Sequence, residues 1–201
     1  MTQRRRFLQL TGAAIVGAAA GIGSPIGDPS AAAGETPSDA DVGFCSDMTA
    51  HHVQALVMCQ RVLGRDTGDA VQAAATEVLT NQAMEVGQMR AWLADWDEST
   101  AAPELVMGWM GMNDGAGMAL AMMPGLASDA ELQHLSLASG LDQGRLWIEL
   151  MRAHHVGGVA MATAAAELAA TEKVRRLAAA QAEVQTYEIS QYDYLLATTY
   201  A

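Results

Sequence analysis

Four of the five histidines in this 201-residue chain come as adjacent pairs, His51-His52 and His154-His155. Each pair is framed alike, as Phe44-x3-Met48-x2-His51-His52-x5-Met58 and Trp147-x3-Met151-x2-His154-His155-x5-Met161. All the correspondences share an offset of 103 residues, and the register runs on: Gln82, Glu85, Val86 and Leu93 return as Gln185, Glu188, Ile189 and Leu196. An ungapped match over about fifty residues is an internal duplication. Imidazole with thioether is a soft to borderline ligand set that suits copper and silver; zinc accepts imidazole but seldom thioether. The set is poor for magnesium or calcium. The candidate metal-binding residues are therefore His51, His52, His154, His155, Met48 and Met151. One carboxylate per half, Glu85 and Glu188, either joins them or orients a ligand histidine through its other ring nitrogen. Two half-sites facing each other can build one metal centre.

These side chains need helices to hold them. Phe44, Met48, Ala55, Met58 and Val62 fall three, four or seven apart, a helical period. The spacing predicts a first helix over 39–64 and, after the turn Gly64–Gly68, a second over 69–96. Further helices are predicted over 141–168 and, after Thr171, to about 198. On a helix, residues three or four apart share a face, so Met48 neighbours both His51 and His52. Adjacent residues point about 100° apart. One histidine of each pair is thus the natural ligand and the other a supporting or surface group. His51 shares a stripe with Phe44 and Met58, and His52 shares one with Cys45 and Cys59, where the second half has Ile148 and Ala162.

The repeat halves, 39–97 and 141–199, are joined by a connector over 98–140 that holds Pro103, Pro124 and several glycines, too many breakers for a long helix. It is rich in methionine, suited to soft-metal capture or to adaptable apolar filling. Within it, Ser128-x-x-Glu131 is a capping box for a short helix through Leu137. His134 on that helix is expected to be structural. No stretch alternates with period two, so essentially no sheet is expected. Two duplicated helical hairpins with a long crossover describe an all-α, ferritin-like four-helix bundle. The di-iron members of that class need Glu-x-x-His on two helices. Here Glu149 lies five before His154 and Asp47 four before His51, which counts against a ferroxidase.

Residues 1–33 read as an export signal: Arg4-Arg5-Arg6-Phe7-Leu8 fits the twin-arginine pattern, a glycine-rich apolar run follows, and Ala31-Ala32-Ala33 suits cleavage. The run is too short to span a bilayer. The expected destination is periplasmic or extracellular, with the mature domain at 34–201 and no stable membrane insertion. The formal charge of −12 excludes nucleic acid as a natural partner. Cys45 and Cys59, on one helix, would lie about 21 Å apart and cannot pair within the chain.

The residues Phe44-x3-Met48-x2-His51-His52, Met123-Pro124-Gly125, Ser139-Gly140, Met151-x2-His154-His155 and the Gln-x-x-Glu helices resemble the DUF305 family. These are exported, ferritin-like bacterial proteins, among them periplasmic copper-binding members implicated in copper resistance. The resemblance implies that the family's histidine and methionine positions carry over to His51, His52, His154, His155, Met48 and Met151. The chain departs from the pattern at Trp147, where phenylalanine is usual, at Tyr192 opposite Met89, and at its two cysteines.

Three functions are thus expected, in order: a copper or silver binder for sequestration, delivery or resistance, a ferritin-like oxidase using copper, iron or manganese, and a helical module whose histidines only pack. No hydrolytic constellation is present. Beyond the ion, the expected partners are a second copy of the chain or a protein that receives the metal.

Overall fold

The computed structural model describes residues 36–201; the export signal assigned to 1–33 lies outside them. Five helices account for most of the described chain. Helix α1 spans Asp39–Val62 and α2 spans Asp69–Asp95. The short α3 spans Asp129–Leu137, and α4 and α5 span Gly140–Leu168 and Glu172–Ala197. None is long and apolar enough to cross a membrane.

Local chemistry explains where they start. Ser38 caps α1 in a capping box with Asp41, and Ser128 caps α3 in one with Glu131. Gly68, at a φ of 90°, supplies the left-handed turn before α2 that a side chain would resist. Thr171 sits at the N-cap of α5 without capping it through its side chain; its hydroxyl instead donates to Asp41 on α1.

The connector is not wholly without strand. Leu105–Val106 (β1) and Met118–Ala119 (β2) pair antiparallel, Leu105 opposite Ala119. Runs this short carry no readable alternation, which is why no sheet is expected from sequence. Met107 and Met123 of the connector are buried in the core, whereas Met122 is exposed. His134, expected to be structural, is exposed on α3 and packs in no core.

Helices α1 and α4 form the central pair, with α2 packed on α1 and α5 on α4. They run antiparallel, because residues from opposite ends share each apolar cluster. Phe44, Cys45 and Met48 of α1 cluster with Met161, Ala162 and Ala165 of α4, while Met58, Cys59 and Val62 cluster with Trp147, Ile148 and Met151. The histidine pairs fall between the clusters, at the crossing. Both cysteines are free and buried, as their placement on one helix requires. Burial pushes both thiols up to about 12, so they stay protonated at neutral pH.

The connector is pinned over this crossing. Asp47 accepts from the Met107 N–H at 2.7 Å and the Trp109 indole N–H at 2.8 Å. Gln54 binds both backbone groups of Ala127, accepting from its N–H at 2.6 Å and donating to its carbonyl at 2.9 Å. The Pro124-Gly125 corner rests on Gly157 of α4, where any Cβ would collide with the Pro124 carbonyl. Gly157→Ala should therefore destabilise by about 1–3 kcal/mol, overpacking outweighing the better helix propensity of alanine. Gly87 of α2 has open space around it, so Gly87→Ala should stabilise by up to about 1 kcal/mol. Urea unfolding of the two variants checks this; shifts of equal sign would contradict it.

Candidate metal centre

Halfway along the bundle the apolar core is interrupted by one polar layer. It holds His51, His52, His154, His155, Gln82, Gln181 and Gln185, all buried, with the carboxylates of Glu85 and Glu188 at its edges. The duplication is visible in its geometry. His52 Nε2 lies 2.8 Å from Glu85 Oε2, and His155 Nε2 lies 2.7 Å from Glu188 Oε2. An ionised carboxylate can only accept, so each Nε2 carries a proton, and in the neutral ring Nδ1 is then the nitrogen with the lone pair. The inner pair meets across the helix crossing: His51 and His154 stack with ring centroids 3.6 Å apart and planes 29° from parallel. The His154 Nε2–H donates to the His51 carbonyl at 2.9 Å, which again leaves Nδ1 with the lone pair.

The four rings therefore form a row, His52–His51–His154–His155, with steps of 6.2, 3.6 and 6.1 Å between centroids. The structure brings His51 to His154, His52 to Glu85 and His155 to Glu188. It does not gather all eight expected residues around one point, and among the described residues no three His, Cys, Asp or Glu side chains converge. Met48 and Met151 are buried in opposite apolar clusters, one on each side of the row.

The row has a cost in hydrogen bonding. Nδ1 of His52, His154 and His155 and both nitrogens of His51 are buried without a hydrogen bond of ordinary geometry. Each such group forfeits about 1–3 kcal/mol relative to water. Burial, reinforced by the neighbouring imidazoles, holds His51 and His154 well below the usual histidine range. Both are neutral at pH 7, the form that binds metal.

The unfolded chain takes a proton on each ring near pH 6.5 while the folded chain resists it, so stability present above 6.5 is lost as pH falls. Thermal unfolding in chelator should show the melting temperature falling between pH 7 and 5 and level between 7 and 8. A flat profile would contradict the burial of two neutral rings.

Sequence patterning located the histidines, both glutamates, and Gln82 and Gln185, because all recur at the offset. It missed Gln181, whose amide nitrogen lies 3.5 Å from His52 Nε2. The matched position holds Val78, so the repeat gives no signal there.

Two duplicated helical hairpins crossing at a buried histidine layer define a ferritin-like helical bundle with a polar, imidazole-rich waist. The family model for DUF305, a domain of unknown function, matches residues 41–196, and the chain belongs to that family. A search of curated proteins finds no match. Among solved structures, a putative secreted DUF305 protein from Streptomyces coelicolor is 36% identical with a TM-score of 0.72, over 79% of this chain and 92% of that one. A DUF305 fragment from Deinococcus radiodurans is 28% identical with a TM-score of 0.66, over 80% and 97%. CopM in its Cu(I)-bound form is 23% identical with a TM-score of 0.62, over 80% and 98%, a likeness of fold.

Proposed function

We propose that this chain is an extracytoplasmic binder of copper, and of silver as its soft analogue, serving sequestration or delivery. The observation that carries the reading is the buried layer of imidazole nitrogens, Nδ1 of His52, His154 and His155 among them, that make no hydrogen bond of ordinary geometry. Buried polar groups are nearly always satisfied, and a cluster of exceptions calls for a ligand. His51, His52, His154 and His155 supply nitrogen, and Met48 and Met151 supply the thioethers. Glu85 and Glu188 hold the orientation and tautomer of His52 and His155, as carboxylates do behind metal-bound histidines. Support comes also from CopM, a protein of like fold solved in Cu(I)-, Cu(II)- and Ag-bound forms. The test is metal content of untagged protein, followed by competition titrations. Copper should bind more tightly than zinc, as the Irving–Williams order requires. Zinc outcompeting copper would overturn the assignment.

Export by the twin-arginine route belongs to the same proposal. Arg4→Lys with Arg5→Lys should leave unprocessed precursor in the cytoplasm, seen by fractionation and blotting. Normal processing of that variant would refute the route while leaving the metal chemistry standing.

A further inference from the structure

The offset that matches His52 with His155 and Glu85 with Glu188 also exposes where the halves differ. One turn beyond Glu85 stands Met89; one turn beyond Glu188 stands Tyr192. Residues four apart share a helix face, so each sits on the same side of its helix as its carboxylate. Both are buried, Met89 fully and Tyr192 to 2% exposure. The Tyr192 ring lies 5.4 Å from that of His155, and the Trp147 indole packs edge-on against it at 5.9 Å. The Tyr192 hydroxyl is buried without a hydrogen-bond partner beside a histidine whose Nδ1 is equally unpartnered. Met89 shares its cluster with Met48, Met161 and Cys45, and Tyr192 shares the opposite one with Met151, Met58 and Cys59, so the contrast between the halves is the Tyr192 phenol against the Met89 thioether. An amide of the second repeat, Gln181, neighbours His52, and its match in the first repeat is Val78.

We propose that the two half-sites are chemically distinct: the His155–Glu188–Tyr192 half binds Cu(II) through an oxygen donor, and the His52–Glu85–Met89 half binds Cu(I) or Ag(I) through sulfur. This rests on the copper-binding reading above. The reasoning is ligand softness: a phenol oxygen is hard and favours the more highly charged ion, whereas thioether favours the monovalent one. On coordination the phenol O–H bond is replaced by O–Cu(II), and the proton passes to buffer. No electron is transferred.

The experiment titrates the wild-type chain, Tyr192→Phe and Met89→Leu with Cu(II) and with Ag(I), and records the visible spectrum. Phenylalanine keeps the ring, and leucine conserves volume, so both variants should fold; far-UV circular dichroism confirms it. Wild type loaded with Cu(II) should show a phenolate-to-copper charge-transfer band. Tyr192→Phe should lose the band and at least about tenfold in Cu(II) affinity at one site, with Ag(I) binding unchanged. Met89→Leu should keep the band and lose a similar factor for Ag(I). Copper bound by wild type without the band, or a band that survives in Tyr192→Phe, overturns the distinction and leaves the copper-binding reading intact. Wild type that takes up neither ion overturns both.

Discussion

Replacing His51, His52, His154 and His155 together with asparagine should lower copper affinity by at least about 100-fold, since even supporting residues around a metal are worth 10–100-fold. The loss should appear for Cu(I) and Cu(II) alike, because imidazole serves both. His134→Ala should change nothing, as that ring is exposed on α3. Far-UV circular dichroism checks that the four-histidine variant keeps its helices. Met48→Leu with Met151→Leu provides a second measure that leaves the layer intact, because leucine fills methionine's volume at little cost. That double variant should weaken Cu(I) more than Cu(II), thioether being the softer ligand. Competition titrations of both ions read the outcome. Unchanged affinity in the four-histidine variant would move binding elsewhere in the chain, with the methionines of the connector first in line.

Asp41→Ala should be the most destabilising single change outside the apolar core. Asp41 is buried and accepts from the Ser38 N–H and hydroxyl at 2.8 and 2.6 Å. It also accepts from the Ala170 N–H at 2.9 Å and from the Thr171 N–H and hydroxyl at 3.0 and 2.5 Å. One carboxylate thus closes the start of α1 and ties it to the start of α5. Burial alone would raise its pKa, yet hydrogen bonds from Ser38 and Thr171 win and hold it at about 2. Truncation leaves these donors stranded and should cost about 4 kcal/mol. For a chain of this size that is a fall in melting temperature of about 10 °C. Asp41→Asn, which keeps one acceptor oxygen, should fall between. A loss below about 0.5 kcal/mol for the alanine variant, the range of ordinary surface changes, would show that the link carries no load.

The fate of Asp41 shows where reading the sequence stops. Its match at the 103-residue offset is Gly144, and the two halves close their ends by different means. In the second half Gly144 leaves room for the Thr67 carbonyl, which accepts from the Tyr200 hydroxyl at 2.6 Å. A comparison of repeats registers such a pair only as a mismatch. The long helices are legible because their apolar positions keep helical spacing over many turns. The Ser128–Glu131 box is legible because it is purely local. That Glu85 and Glu188 face histidines is legible because duplication makes the same separation occur twice. The stacking of His51 on His154 is not, because it depends on how closely α1 and α4 cross. Small residues on α4 also admit its other neighbours closely, Gly157 the Pro124 corner and Gly158 the Gln185 amide. The separation of the row into an inner stacked pair and two outer carboxylate-bound rings follows from the same crossing. It accounts for adjacent histidines, 100° apart on one helix, taking different partners.

Copper K-edge absorption of the Cu(I)-loaded chain tests most directly whether copper enters the histidine layer. The expected coordination shell is imidazole nitrogen with thioether sulfur, and its imidazole scattering should disappear in the four-histidine variant. A shell without imidazole, or a chain that keeps no copper against a competing chelator, would contradict it.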